Sequence, residues 1–469
     1  MHLVSGEFVI FFLLVMSMVL SAFKWKKVLL LLFNIVFYLF AGIKGIILFA
    51  IFSIVTYIAG FIVHKNKNKV LFGLLIFIAI TPLLFYKYVD FLLVDILRTS
   101  VNIGKGLSVP LGISFFTFQG VGYIIDVYKE KCKPERNFLN YFIFLSLFTC
   151  ISSGPINRAE SLLIQIRDYN KTIFDYDRCV AGARYVLVGL LLKVFIAGCL
   201  STILPSKESG LALLIGSICY TVEIFSDFCG YSYIAYGLSK ILGISVIQNF
   251  EKPYSSHSIT EFWKRWHISL SSWLKDYIYI PLGGSRCSKI RMHFNTLVTF
   301  LVSGIWHGAN MTFVVWGLLN GLIIVFEKIT GFSKKSASKI IEFFKWITVL
   351  AIINTLWIFF DASSLNEAIL TIKTICCNTL GDIVSIRTLG ALKSTISNLG
   401  ISILEFLRAA AAMLTFLIYV LLTRKIDEPI KFFESKYAIV RWLKYLIIIA
   451  LVLVIGATGE EGAFIYANF

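Results

Sequence analysis

The sequence predicts an all-helical polytopic membrane protein, and three observations carry that prediction. The first is composition: of 469 residues, 58% are hydrophobic and 15% charged, with a mean hydropathy of +0.82, where soluble domains are about 45–50% apolar. With 42 Phe and 9 Trp, a water-soluble fold would have too few polar groups to cover its apolar surface. The second is that apolar runs recur near the roughly 20 residues that a bilayer core of about 30 Å requires of a helix. The third is charge. The 44 Lys+Arg exceed the 27 Asp+Glu, giving +17, and the basic residues gather in short loops between the runs, as membrane insertion with the positive side inward demands. That pattern argues against a nucleic-acid partner. Disorder, coiled coil and soluble multidomain architectures are excluded, and the chain is expected to form one membrane-embedded domain over 1–469.

In chain order, the first run covers 5–23. It lacks a basic segment before it and is followed by Lys24, Lys26 and Lys27, the reverse of a secretory signal, so it reads as a retained span. Residues 28–63 accommodate two short spans divided at Ala41-Gly42-Ile43-Lys44-Gly45, and end at His64-Lys65-Asn66-Lys67-Asn68-Lys69. Spans at 70–86 and 109–127 follow, the latter ending at the basic stretch 129–136. Five crossings from an outside N-terminus place all three basic clusters on the cytoplasmic side. Further runs lie at 138–152, 180–204, 211–242, 294–306, 309–328, 343–360, 400–423 and 440–457, for about ten to twelve transmembrane or re-entrant helices. The stretch 424–444 carries six basic residues and is expected in the cytoplasm, which sends the C-terminus out. Nine cysteines, with Cys376 and Cys377 adjacent and no CxxC spacing, read as reduced packing residues, and no metal site is expected.

Polar chemistry concentrates in two places. The stretch Phe250 to Arg286 reads FEKPYSSHSITEFWKRWHISLSSWLKDYIYIPLGGSR. As one helix begun by Ser258 or Thr260, it aligns Trp263, Trp266, His267, Leu270, Trp273, Leu274 and Tyr277 at spacings of three and four. Lys264, Arg265, Lys275 and Asp276 occupy the remaining faces, which suits an interfacial helix or one lining a wet cavity. Pro281 with Gly283-Gly284 ends it. The tryptophans also fit an interfacial aromatic belt, and the two cationic side chains of 264 and 265 fit snorkelling.

The second place is Ser303-Gly304-Ile305-Trp306-His307-Gly308-Ala309-Asn310. Of six histidines, only His267 and His307 lie in aromatic, membrane-depth sequence. Gly304 and Gly308 flank His307, and their missing side chains permit close approach of a helix or a substrate. Imidazole, with an unperturbed pKa near 6.5, is the natural general base near neutral pH. No G-x-S-x-G elbow or G-x-x-x-x-G-K-[ST] loop is present, which argues against a serine hydrolase or nucleotide-binding protein.

At these residues the sequence resembles the membrane-bound O-acyltransferase (MBOAT) family, in its bacterial branch of alginate and peptidoglycan O-acetylation and teichoic-acid D-alanylation proteins. The matching segments are VPLGISFFTFQGVGYIIDVYK at 109–129, SSGPINR at 152–158, FSDFCGYSYIAYGLSKILGI at 225–244, FWKRWHISLSSWLKDYIYIPLGGSR at 262–286 and GIWHGANMTFVVWGLLNG at 304–321. The resemblance implies a helical shell around a funnel, with His307 at its constriction as the catalytic histidine and His267 as a second one. Trp263, Lys264, Arg265, Trp266, Trp273, Asp276, Trp306 and Asn310 are then expected to line the funnel or contact substrate. The family's frequent WG-x-x-HG reads Trp316-Gly317-Leu318-Leu319-Asn320-Gly321 here, with Asn320 in place of histidine.

The activity implied is transfer of an acyl group, acetyl by expectation, from a cytoplasmic thioester (acetyl-CoA or a carrier-protein thioester) through the plasma or inner membrane. No bound cofactor is expected. The acceptor would be a hydroxyl of a cell-envelope polysaccharide, reached through an extracytoplasmic SGNH-like acyltransferase partner. Tyr466, in the aromatic tail Phe464-Ile465-Tyr466-Ala467-Asn468-Phe469, is either an acyl relay or an interfacial anchor. The alternatives are D-alanyl transfer to teichoic acid and, in a different class, a transporter or flippase with a histidine proton relay.

Overall fold

A computed structural model describes residues 5–21, 24–99, 109–386, 388–424, 426 and 428–455. Tyr466 and the tail 458–469 lie outside the described residues. Those described form helices and connecting turns, with no strand among them. Eight of the described helices are long and apolar enough to cross a membrane, and the chain is a multi-pass membrane protein.

Internal contacts group the chain into two compact units, one of residues 1–186 and 232–248, the other of 187–231 and 249–469. The first unit opens with α1 (Gly6–Ser21), α2 (Lys26–Leu39), α3 (Ile43–Lys65) and α4 (Lys69–Leu83), the last continued by a π-helical turn to Tyr88. The expected division of 28–63 is present. Between α2 and α3 the chain turns at Gly42, whose φ of +104° suits glycine. Next come α5 (Ile113–Tyr128), α6 (Phe138–Ser146) and α7 (Ala159–Arg167). The candidate run at 138–152 is helical only over the nine residues of α6, too short to span.

Small residues set the packing of this unit. A Cβ on Gly60 would lie 2.6 Å from the Tyr123 ring, and one on Gly120 2.7 Å from Phe52. α5 is buried from Phe115 through Val127. Two pairs of buried hydroxyls bond across this unit, Tyr141 with Thr56 at 2.8 Å and Thr149 with Ser239 at 2.6 Å.

α8 (Tyr176–Leu190) and α9 (Gly210–Ile241) each carry the chain from one unit to the other. In the second unit α8 continues through a π-helical stretch, Leu191–Ala197, where Lys193 forms a buried ion pair with Asp227 of α9. Gly230 allows that approach, since a Cβ there would sit 2.7 Å from the Gly189 carbonyl. Two short helices, α10 (Ile259–Arg265) and α11 (Ile268–Leu274), precede the long helices α12 (Lys289–His307), α13 (Met311–Thr330) and α14 (Lys339–Asp361). The unit closes with α15 (Leu365–Ser385), α16 (Leu389–Ser397), α17 (Ile403–Arg424) and α18 (Ala438–Ala450). α15 is a long helix that hydropathy did not predict as a span.

α12 and α13 form the tightest hairpin of this unit. A Cβ on Gly304 would stand 2.2 Å from the Phe313 carbonyl, and one on Gly317 2.4 Å from that of Phe300. Gly308 faces the Phe313 ring, 2.2 Å from such a Cβ. The space left by the glycines beside His307 is therefore filled by α13.

Candidate functional site

The polar stretch 250–286 is not the single helix its periodicity suggested. Ser258 does begin it, its Oγ accepting from the Glu261 N–H at 3.0 Å. The helix stops after Arg265: Trp266 is extended, and His267 takes a left-handed φ of +45° before α11 begins. An outside strand of chain explains the break. The Asn249 carbonyl accepts from the Ile268 N–H at 3.0 Å, its side-chain oxygen from the Ser269 N–H at 3.1 Å, and the Glu251 N–H donates to the Arg265 carbonyl at 3.0 Å. Buried Asn249 thus caps α11 and makes a pause at His267 cheaper than continuation. The expected end is where the sequence placed it, with φ of +115° at Gly283 and +56° at Gly284.

Two residues of α13 hold α10 in place. The Glu327 carboxylate, buried at 2% exposure, accepts from the Ile259 N–H at 2.6 Å, the Thr260 N–H at 2.9 Å and the Thr260 hydroxyl at 2.7 Å. An anion at a helix N-terminus is favourable both as a cap and against the helix dipole. Asn320 accepts from the Trp263 indole N–H at 2.9 Å and donates to the Trp316 carbonyl at 2.8 Å. Sequence reading left Asn320 without a role and passed over Glu327; a carboxylate in an apolar run was the available signal.

Both histidines are buried, His267 at 0% and His307 at 3% exposure. His307 is the last residue of α12, its ring 5.0 Å from Trp306, 5.2 Å from Trp316 and 5.2 Å from Phe360 between ring centres. His267 lies edge-on to Phe228 at 4.7 Å and 6.0 Å from the same Trp306. Trp306 therefore touches both imidazoles, and residues forty apart meet around one indole. Neither ring nitrogen of His267 has a hydrogen-bond partner among the described residues. Left unbonded by the described residues, both nitrogens can serve a bound ligand.

The other expected site residues separate by environment. Trp263 and Lys264 line a cavity of about 200 Å³ together with Lys275 and Lys328. Trp266 is packed in an aromatic cluster, 5.0 Å from Phe250, 5.3 Å from Phe262 and 5.0 Å from Trp357. Trp273 packs on Tyr277 at 5.0 Å. With exposures of 7%, 1% and 5% for Trp263, Trp266 and Trp273, these rings lie inside the protein, and the interfacial-belt reading is set aside. Arg265 is held by Glu261 at 2.6 Å and Ser255 at 2.9 Å, so it does not snorkel. Asp276 is half-buried on the π-helical turn after α11. Asn310 caps α13 through the Thr312 N–H at 3.0 Å and donates to the Ser363 carbonyl at 2.9 Å. Asn310 and Arg265 thus make structural bonds, while the cavity and the two imidazoles hold the remaining chemistry.

A multi-helix membrane protein with two buried histidines brought onto one tryptophan has the parts of a membrane-embedded transferase. Residues 134–360 match the profile of MBOAT, the membrane-bound O-acyltransferase family. The chain is 32% identical over 368 residues to the probable alginate O-acetylase AlgI of Pseudomonas aeruginosa, covering 74% of this chain and 69% of that protein. It is 31% identical over 386 residues to the peptidoglycan O-acetyltransferase of Helicobacter pylori, covering 74% and 73%. With the teichoic acid D-alanyltransferase of Bacillus subtilis it shares 32% over 265 residues, covering 52% and 65%. The chain belongs to the membrane-bound O-acyltransferase family and is an acyltransferase.

Proposed function

We propose that this enzyme passes an acetyl group from a cytoplasmic thioester toward hydroxyls of a cell-envelope or exported polysaccharide, with an SGNH-like acyltransferase as extracytoplasmic partner. The observation that carries this reading is His307, buried at the end of α12 in the Trp-His-Gly segment and sharing Trp306 with His267. In the proposed step the acceptor oxygen attacks the thioester carbonyl, the C–O bond forms and the C–S bond breaks. His307 takes the hydroxyl proton and returns it to the departing thiolate. His267 donates or accepts a hydrogen bond at the same centre.

The acetyl donor and polysaccharide acceptor are favoured by the acetylase relatives, which span more of this chain than the D-alanyltransferase does. The basic loops put the donor side in the cytoplasm of a plasma or inner membrane and both termini outside. Tyr466 would then lie on the acceptor side, where its phenol can accept the acetyl group and release it to the partner's serine. A folded Tyr466→Phe protein is expected to lose both thiol release and polymer acetylation in cells; unchanged acetylation would remove Tyr466 from the path.

The enzymatic reading is tested with purified protein and acetyl-CoA. Thiol release that disappears in a folded His307→Ala variant supports it, whereas solute flux without thiol release would favour a transporter.

A further inference from the structure

Resting on the acyl-transfer reading, Asn249 has a second task beside its hold on the break at His267. The residue is 1% exposed, and both its oxygens are committed: the backbone carbonyl accepts from the Ile268 N–H at 3.0 Å and Oδ1 from the Ser269 N–H at 3.1 Å. The Ser269 bond fixes the orientation of the amide, because an N–H needs an oxygen opposite it. The other end, Nδ2, has no hydrogen-bond partner among the described residues, and neither ring nitrogen of His267 has one. These groups are neighbours. Asn249 is clamped to the two residues that follow His267, and the Phe228 ring stands 4.7 Å from His267 and 5.0 Å from Phe250, the residue after Asn249.

Buried donors without acceptors are rare in folded proteins, and capping does not account for this one. A cap needs only the oxygen, which Ser, Thr or Asp supplies as well. The walls around the pair are the rings of Phe228, Phe250, Trp266 and Trp306, which offer Nδ2 no oxygen. An amide NH2 donates and does not accept, so the group that belongs beside it is an acceptor. In acyl transfer one acceptor atom gains charge during the reaction, the carbonyl oxygen of the acyl group. A fixed N–H in an aromatic surround that excludes water stabilises such a charge without having to reorganise.

We propose that Asn249 is a catalytic residue, its Nδ2 donating to the acyl carbonyl oxygen beside His267. As the attacking hydroxyl oxygen bonds to the carbonyl carbon, the C=O π pair moves onto the carbonyl oxygen, where the Asn249 N–H holds it, and His307 takes the hydroxyl proton. When that pair re-forms C=O, the C–S bond breaks, its electrons leave with the thiolate, and His307 returns the proton to sulfur.

The test is steady-state thiol release from acetyl-CoA by the full chain in lipid nanodiscs, with thermal midpoints read on the same samples. Asn249→Ser and Asn249→Asp each keep a side-chain oxygen for the Ser269 N–H and give up the amide N–H; the Asp protein is assayed well above the carboxylate range, so that it has no proton to donate. Both are expected to melt near the parent and to lose about a hundredfold in kcat, the lower range for removing one such donor. KM should stay nearly unchanged, because the bond strengthens only as charge develops. A coenzyme A dithioester, whose thiocarbonyl sulfur is a poor acceptor, should narrow the gap between the parent and Asn249→Ser. Asn249→Ala, which loses the cap oxygen too, should melt lower. Parental kcat in the Ser and Asp proteins, a rate loss that follows the thermal midpoint across the three variants, or an unchanged gap with the dithioester would each overturn the donor role and leave acyl transfer standing. A parent protein that releases no thiol would instead remove the acyl-transfer reading itself, and this proposal with it.

Discussion

His267 combines a left-handed backbone with an imidazole whose nitrogens have no partner among the described residues. Each feature costs on the order of 1–3 kcal/mol, and such costs persist where surrounding structure over-determines them. Here the surroundings are Asn249 and the rings of Phe228 and Trp306, while the Trp263–Asn320 bond fixes α10 just before the break. Asn320 is thereby explained: it accepts the buried indole N–H of Trp263, a task an imidazole nitrogen can also perform. Replacing Asn320 by Leu should strand that N–H and lower stability by about 1–3 kcal/mol, read as a lower midpoint of thermal unfolding in detergent, while Asn320→His should stay near the parent. An Asn320→Leu protein that melts with the parent would show the bond to be dispensable. The two histidines were legible from sequence because few polar side chains sit in aromatic, apolar runs. Asn320 and Glu327 were not, since their partners lie tens of residues away.

Periodicity located the elements but misjudged two of them. The 258–280 segment has helical spacing throughout, yet backbone groups of 249–251, distant in sequence, satisfy the ends created by a break at His267. α15 is the opposite case. Its 21 residues could cross a membrane by length, but a set of its polar contacts falls on one short loop. Glu367 pairs with Lys207 at 2.5 Å, Asn378 bonds the Glu208 carbonyl at 3.2 Å, and Asp382 accepts from Ser209 at 2.9 Å and the Leu211 N–H at 3.0 Å. Positions spread along about 22 Å of helix, at 1.5 Å per residue, thus meet four residues between Lys207 and Leu211 at the entrance to α9. A helix so tied runs across that entrance. Topology reporters inserted at Ser363 and at Ser397 should therefore report the same side of the membrane; opposite sides would make α15 a true span and reverse the orientation of everything after it.

At the scale of the whole molecule, composition alone fixed the solvent. A chain 58% hydrophobic with +17 net charge has its apolar surface in lipid. The number of long spans was harder to read, because α6 and the pair α10–α11 are too short to cross. What the chain concentrates in its second unit is a small set of polar groups in an aromatic interior. Two imidazoles meet on Trp306, and a cavity with three lysines lies along the helix that ends at His307. The central claim is that His307 is the base of an acyl transfer. Its most direct test is thiol release from acetyl-CoA by the purified protein, wild type against His307→Ala at matched folding and matched coenzyme A affinity. Release by the wild type and a loss of at least about a hundredfold in the variant are expected, the lower range of general-base contributions. Equal rates in the two proteins would contradict the claim.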